Sequence, residues 1–308
     1  MNTLKIGMIG LDTSRCEAFV KVLNDERHPF HVRGGKVIAA FPGGSKDFEK
    51  SYTRVDDITK RLTEQHQLQI QASPEAVAAA SDAILLTAVD GRTHLELLTR
   101  IVKYGKPVFI DKPFAVDSKE AIKMFGLAAY YGTPLMSSSS LRYAASLEEL
   151  LKDNDAVVIG ADSFGPMPIE ETQGGLFWYG IHAVEMLYRV LGAGCVHVQA
   201  TTNEDYELVT GVWKDGRMGT VRGNRLGNDE FGITVHRMNG TQFGLISDQN
   251  KPKYVSMMEA VMRFFQNRKS AIDPLETIEV VRFLEAANES RLTGQRVQLQ
   301  AKENREKR

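Results

Sequence analysis

Two regimes of hydrophobic patterning divide the chain near residue 140. Before that point, short apolar runs alternate with segments of helical period. LKIGMIG (4–10), KVIAAF (36–41), LQIQAS (68–73), DAILLTA (82–88), KPVFI (106–110) and TPLMSS (133–138) read as strands. EAFVKVLN, DDITKRL, THLELLTRIVKYG and SKEAIKMFGLAAYYG read as helices between them, the last two closing on Gly105 and Gly132 as helix ends commonly do. Alternation of this kind predicts a doubly wound parallel sheet over residues 1–140. After Leu141 the pattern changes. ELVTGVWKDGRMGTVRG (207–223) and FGITVHRMNGTQFGLI (231–246) are paired strand-like runs around Asp215-Gly216 and Asn239-Gly240. They predict hairpins with type I′ turns, whose two central residues both need positive φ. A long helix follows from Asp273 to Leu292, with Asp273 as N-cap, Pro274 at N1, Glu276 at N3 and Gly294 beyond its end. The expected fold class is therefore α/β. A Rossmann-type parallel-sheet domain (1–140) precedes an α+β domain (141–308) with a largely antiparallel sheet.

Composition narrows the function classes. The 308 residues carry 38 basic and 39 acidic side chains, which leaves no electrostatic footprint for nucleic acid or an anionic membrane surface. No apolar run approaches the ~18 residues of a membrane span, and the first strand begins too early for a signal peptide. Cys16 and Cys195 are too few for a disulfide framework or a zinc site. The expectation is a cytoplasmic protein that acts on a small polar molecule, with no metal. The closing KENREKR (302–308) reads as a solvated chain end.

In an open parallel sheet, ligands sit outside the carboxyl ends of the strands. That rule selects GLDTSR after the first strand, VDGRTH (89–94) after the fourth and DKP (111–113) after the fifth. Lys112 at such a point suggests chemistry, although a snorkelling surface lysine would look the same.

GKPVFIDKPFAVDSKEA (105–121), GGLFWYGIHAVE (174–185) and PLETIEVVRFLEAANESRLTGQRVQL (274–299) together resemble the signature segments of the Gfo/Idh/MocA oxidoreductases. Asp111 stands for the usual Glu of an EKP motif. The resemblance implies hydride transfer between NAD or NADP and a hydroxyl-bearing carbon of a sugar, cyclitol or related polyol, in a dimer or tetramer. It implies His182 as the base, titrating near neutrality, and Lys112 as its partner. A histidine simply packed at a helix start is the plain alternative for His182. The family's helper Asp is replaced by Trp178, and the terminal Asp of that segment by Glu185. His182 and Glu185 could also ligate a metal, but no third ligand is evident. Arg92, His94, Arg142, Trp178, Tyr179 and Glu185 are candidate substrate contacts, all open to an ordinary structural role.

The nucleotide fingerprint is degenerate. Gly10 fits, but Asp12 and Arg15 replace the second and third glycines. Ser14 and Glu17 read as a capping box that would fill the helix's own N–H groups and leave less for an anion. The expected cofactor contacts are Gly10, Thr13, Ser14 and Arg15, with the Asp12 carboxylate turned aside, together with Asp90, Gly91 and Asp111. Phe41 occupies the place of the acid that would bind an adenosine ribose. The following Gly43-Gly44-Ser45-Lys46 could cradle a 2′-phosphate, which favours NADP slightly, or be a plain surface loop. The alternative function is a non-redox or non-catalytic member of the same fold that binds a small ligand.

Overall fold

The computed structural model describes residues 3–152 and 156–299; the charged 302–308 end lies outside the described residues. In the first half, strands β1 (Leu4–Ile9), β2 (Gly35–Phe41), β3 (Gln69–Ile70), β4 (Ala83–Leu86), β5 (Val108–Asp111) and β6 (Leu135–Ser138) form one parallel sheet in the order β3-β2-β1-β4-β5-β6. All six predicted runs form strands. Strands β4, β5 and β6 are buried at every residue, which explains their unbroken apolar sequences: helices cover both faces.

The flanking helices are α1 (Arg15–Asn24), α2 (Glu49–Tyr52), α3 (Val55–His66), α4 (Pro74–Ala80), α5 (His94–Ile101) and α6 (Ser118–Tyr131). Their ends follow local chemistry. The Asp117 carboxylate accepts the N–H groups of Lys119 and Glu120 at the start of α6, and Gly132 closes it in a left-handed conformation.

The second half contains α7 (Ala145–Leu151), α8 (Gly180–Leu191), α9 (Lys253–Asn267) and α10 (Pro274–Thr293). Its strands are β7 (Val158–Pro166), β8 (Cys195–Thr202), β9 (Tyr206–Trp213), β10 (Met218–Asn224), β11 (Gly232–Arg237), β12 (Gly240–Leu245) and β13 (Val297–Gln298). They form a sheet ordered β12-β11-β7-β10-β9-β8-β13, antiparallel except where β7 runs parallel to β10. Burial alternates along β9 and β10, and the inward side chains, Val209, Trp213 and Val221 among them, pack with α8 and α10 residues in one core. Both predicted hairpins form, but not with type I′ turns. Only Gly216 and Gly240 carry positive φ, while Asp215 and Asn239 do not. At the first, Gly216 donates to Trp213 O and Trp213 donates to Arg217 O, so glycine alone takes the left-handed position.

Helix α10 starts as expected, with the Asp273 side chain accepting the Leu275 N–H and Gly294 left-handed at its end. Its Glu276 pairs with Arg142 instead of completing a capping box.

Helix α9 departs from the sequence pattern. It lies far beyond residue 140, yet its Val255, Met258, Val261 and Phe264 pack with Ile6, Met8, Phe19 and Val37 in the core of the first sheet. The chain thus returns to the parallel sheet before making α10. Phe264→Ala should cost about 3–5 kcal/mol, because the cavity would open inside that core. A drop in the denaturation midpoint measured with urea checks this; a loss below about 1 kcal/mol would mean that α9 only rests on the surface.

Candidate active site

The site forms where the carboxyl ends of the parallel strands meet α8. After β1 the chain turns at Gly10 (φ +90), where a Cβ would lie 2.3 Å from the Ala88 nitrogen, so only glycine permits this approach to the end of β4. Strand β5 ends on Asp111 and delivers Lys112, whose peptide bond to Pro113 is cis. Strand β6 ends at Ser138 and is followed by Ser139. His182 sits in the first turn of α8, which is buried along most of its length.

These residues form one polar cluster. Arg15 donates to Asp111 Oδ2 at 2.6 Å and approaches His182 Nε2 at 3.5 Å. His182 Nδ1 lies 2.6 Å from Ser139 Oγ. Lys112 Nζ donates to the Trp178 carbonyl at 3.1 Å and stands 4.9 Å from the centre of the Trp178 ring. Burial, helped by the Arg15 charge and opposed by Asp111, pushes the Lys112 ammonium down to about 7. Burial and then the charges of Lys112, Arg15 and Lys253 hold His182 well below its ordinary value. Of this pair it is Lys112 that burial brings toward neutrality, whereas His182, to which the resemblance gives that titration, is driven away from it. Beside the cluster opens a cavity of about 400 Å³ lined by Arg15, Tyr179, His182, Phe231, Lys253 and Tyr254 among others.

A second network ties down the loop after β2. The Asp12 carboxylate accepts the Val89 N–H at 2.9 Å and the Ser51 hydroxyl at 2.6 Å. Ser51 Oγ in turn accepts the Ser45 N–H at 2.7 Å. Arg92 holds Asp90 and reaches Asp47 with two bonds of 2.9 and 3.0 Å. Burial acts to raise Asp90, but Arg92, Gln173 and Ser45 outweigh it and hold this carboxyl at about 2. The loop is thus fastened to the β1 and β4 ends at once.

Residues 4–139 match the Gfo/Idh/MocA model, described as an oxidoreductase family with an NAD-binding Rossmann fold. The parallel-sheet domain belongs to this family. No curated protein matches the chain. Among solved structures, GenD2 from gentamicin A biosynthesis in complex with NAD is 18% identical, with a TM-score of 0.79 over 98% of this chain and 97% of that one. Apo scyllo-inositol dehydrogenase from Lactobacillus casei is 14% identical, TM-score 0.78, over 97% and 98%. Myo-inositol 2-dehydrogenase from Lactobacillus plantarum is 16% identical, TM-score 0.79, over 97% and 100%. At such identities the likeness is one of fold, and it extends across both domains.

A Gfo/Idh/MocA domain implies a dinucleotide, and the residues at the α1 end of its site fit one. The Ser14–Glu17 capping box does not form: Ser14 has helical dihedrals and caps no N–H, and Glu17 is drawn into a two-point pair with Arg61. The start of α1 therefore keeps its capacity for an anion, with Thr13, Ser14 and Arg15 around it. Asp12 is turned from that end toward Val89 and Ser51. Asp111 Oδ1 is buried with no partner, an acceptor suited to an amide or hydroxyl donor of a ligand.

The adenosine side is more closed. Gly43 is exposed, with room for a Cβ only at 3.5 Å from the Gly10 Cα, Ser45 is buried with its N–H given to Ser51, and Lys46 is exposed. Gly91 is buried and donates to Gln173.

Among the substrate candidates, Tyr179 lines the cavity, and Trp178 gives its carbonyl and ring to Lys112. The other four are engaged by structural partners. The His94 ring is fully buried between the Phe114 and Ala88 carbonyls, 3.2 and 2.9 Å away. Arg142 and Glu185 form a buried ion cluster with Glu276 that joins α8 to α10. Burial raises the Glu185 carboxyl to about 7 against the pull of Arg142. Arg92 is committed to the loop network. The sequence offered no signal for Ser51 or Phe231, and none for the role of Ser139, because these roles come from contacts distant along the chain.

Asp12→Gly should destabilise the protein by about 1–3 kcal/mol, because the half-buried Val89 N–H and the buried Ser51 hydroxyl lose their acceptor. Thermal unfolding at pH 7 measures this. An unchanged midpoint would show that water replaces the carboxylate without cost.

Proposed function

We propose that the protein is an NAD(P)-dependent oxidoreductase that interconverts a hydroxyl and a carbonyl on a small polar molecule of the sugar, cyclitol or polyol class. The observation that carries this reading is a buried lysine with its pKa near 7, set beside a neutral histidine at the edge of an interdomain cavity. A proton-transfer group works best when its pKa lies near the working pH. Neutral Lys112 takes the hydroxyl proton in the oxidative direction, and its ammonium returns a proton to the oxygen in reduction. His182, neutral throughout, offers Nε2 as an acceptor to a neighbouring hydroxyl of the same molecule and so orients the substrate. The bound nicotinamide supplies the hydride acceptor or donor. Thr13, Ser14 and Arg15 would hold its diphosphate, and the free Asp111 oxygen would accept a hydrogen bond from it. The inositol dehydrogenases and the NAD complex among the structural neighbours support the same class of reaction and cofactor.

No carboxylate stands at the end of β2, where Phe41 lies, so NAD gains no ribose acceptor there over NADP, and exposed Lys46 remains available to a 2′-phosphate. We also take the protein to be a homo-oligomer: the outward side of the second sheet exposes Ile159, Leu208, Met218 and Phe243, apolar surface of the kind that pairs subunits.

One observation favours a second reading, a small-ligand protein without redox chemistry. The Asp12–Ser51–Ser45 and Arg92–Asp47 bonds cross the side where the adenosine half would lie. Calorimetry with NAD and NADP separates the two readings. Binding at submillimolar concentration supports the oxidoreductase, and none at millimolar concentration transfers the proposal to the second reading.

Given turnover, Lys112→Ala should lower kcat by ~10²–10⁴-fold and remove the limb of the kcat/KM profile near pH 7. Rate should rise with pH through that limb in oxidation, since the neutral amine is the active form. His182→Ala should lower the rate but leave the limb in place. A limb that survives in Lys112→Ala and vanishes in His182→Ala would reverse the two roles.

A further inference from the structure

We infer that Ser139 is the positioning residue for His182: its hydroxyl oxygen accepts the Nδ1 proton and so presents the Nε2 lone pair toward Arg15 and the cavity. This rests on the reading of His182 as a substrate-facing acceptor. The relevant contact is short, 2.6 Å between Ser139 Oγ and His182 Nδ1, and Ser139 is fully buried. The oxygen is held in place from its own side, because it also accepts the Leu141 N–H at 3.2 Å as the cap of the short 3₁₀ turn Ser140–Tyr143.

Two arrangements are open to a neutral imidazole, since one ring nitrogen carries the proton and the other accepts. If the Ser139 hydroxyl donated to Nδ1, the proton would sit on Nε2 and face Arg15 Nη2 at 3.5 Å. A guanidinium only donates and does not lose its charge. That arrangement sets donor against donor. The charges around the ring act in the same direction. Arg15 on α1, Lys112 after β5 and Lys253 on α9 are the charged groups that bear on His182, and all three are cationic. They favour the lone pair on the side facing them. The rings of Tyr179 and Phe231 meet the imidazole at steep angles, with centroids 5.5 and 5.7 Å away, and bring no competing charge. The position at which the resembling family carries its helper Asp is Trp178, which is committed to Lys112 through its carbonyl. Ser139, from the end of β6, supplies the polar contact that orients the histidine.

The test is the tautomer of His182, read by long-range ¹H–¹⁵N correlation spectra on the full-length protein with ¹⁵N-labelled histidine, without cofactor or substrate. The seven histidines are distinguished by loss of one signal set in His182→Gln. The wild type should show protonated Nδ1 and bare Nε2. Ser139→Ala should lose this single-form pattern, and Ser139→Thr, which keeps the hydroxyl, should retain it. A wild type with the proton on Nε2, or a folded Ser139→Ala protein with an unchanged pattern, overturns the inference. Should Ser139→Ala fail to fold, the wild-type tautomer and Ser139→Thr decide alone. Because no turnover is involved, absence of cofactor binding would remove the redox reading and leave this result standing.

Discussion

The burial of the Lys112 amine is the constraint on which the site depends. Strand β5 carries it to the sheet's carboxyl edge, where the second domain closes over it with the Trp178 carbonyl and ring. An ammonium taken from water must find partners or lose its proton. Here one carbonyl and the Trp178 and Tyr179 rings meet it, Arg15 repels it, and its pKa falls from 10.5 to about 7. The folded value lies below the unfolded one, so this group weighs against folding increasingly as pH falls from about 10.5 to about 7. Glu185 behaves in the opposite sense. Its carboxyl is raised from 4.5 to about 7, so its burial weighs against folding increasingly as pH rises through that interval. The Lys112 strain bears on His182, at the place where a fold retains such strain for chemistry and not for stability.

The site is also where the two domains are joined. Strand β6 and the turn after it lead into the second domain, α8 brings His182 and Glu185 back to the sheet edge, and α9 returns to fill the first core. The buried Arg142 pairs with Glu185 on α8 and Glu276 on α10. Removing one member of such a cluster leaves a charge without its partner, so the ions fix the relative placement of these elements more than they add net stability. Placement is what proton transfer requires, since the reacting groups must stay within hydrogen-bond reach.

Much of the fold was legible because its signals are local. Unbroken apolar runs gave the parallel strands, Gly105 and Gly132 the helix ends, and Asp273-Pro274 the start of α10. The hairpins were found from Asp-Gly and Asn-Gly, yet their turn type was misread because one glycine suffices for the left-handed step. Long-range competition accounts for the remaining differences. Ser14 and Glu17 have the spacing of a capping box, but Arg61, 44 residues on, takes the glutamate. Arg142 and His94 looked like cleft residues, and partners distant in sequence bury them. Helix α9 carries a clear apolar face, but nothing within it says which sheet it will cover. The sequence pointed to Lys112 through the strand-end rule. That the lysine, not the histidine, titrates near neutrality follows only from the burial and charges that assemble in three dimensions.

The central claim is the depressed pKa of Lys112, and it can be read directly in the resting protein. The full-length chain labelled with ¹³C at lysine Cε is titrated by NMR, with the Lys112 signal assigned by its loss in Lys112→Arg. A midpoint of about 7 is expected for that one lysine. A midpoint near the ordinary 10.5 would contradict it, because the amine would then be a solvated cation and neither the proton transfer nor the polarity of the site would follow.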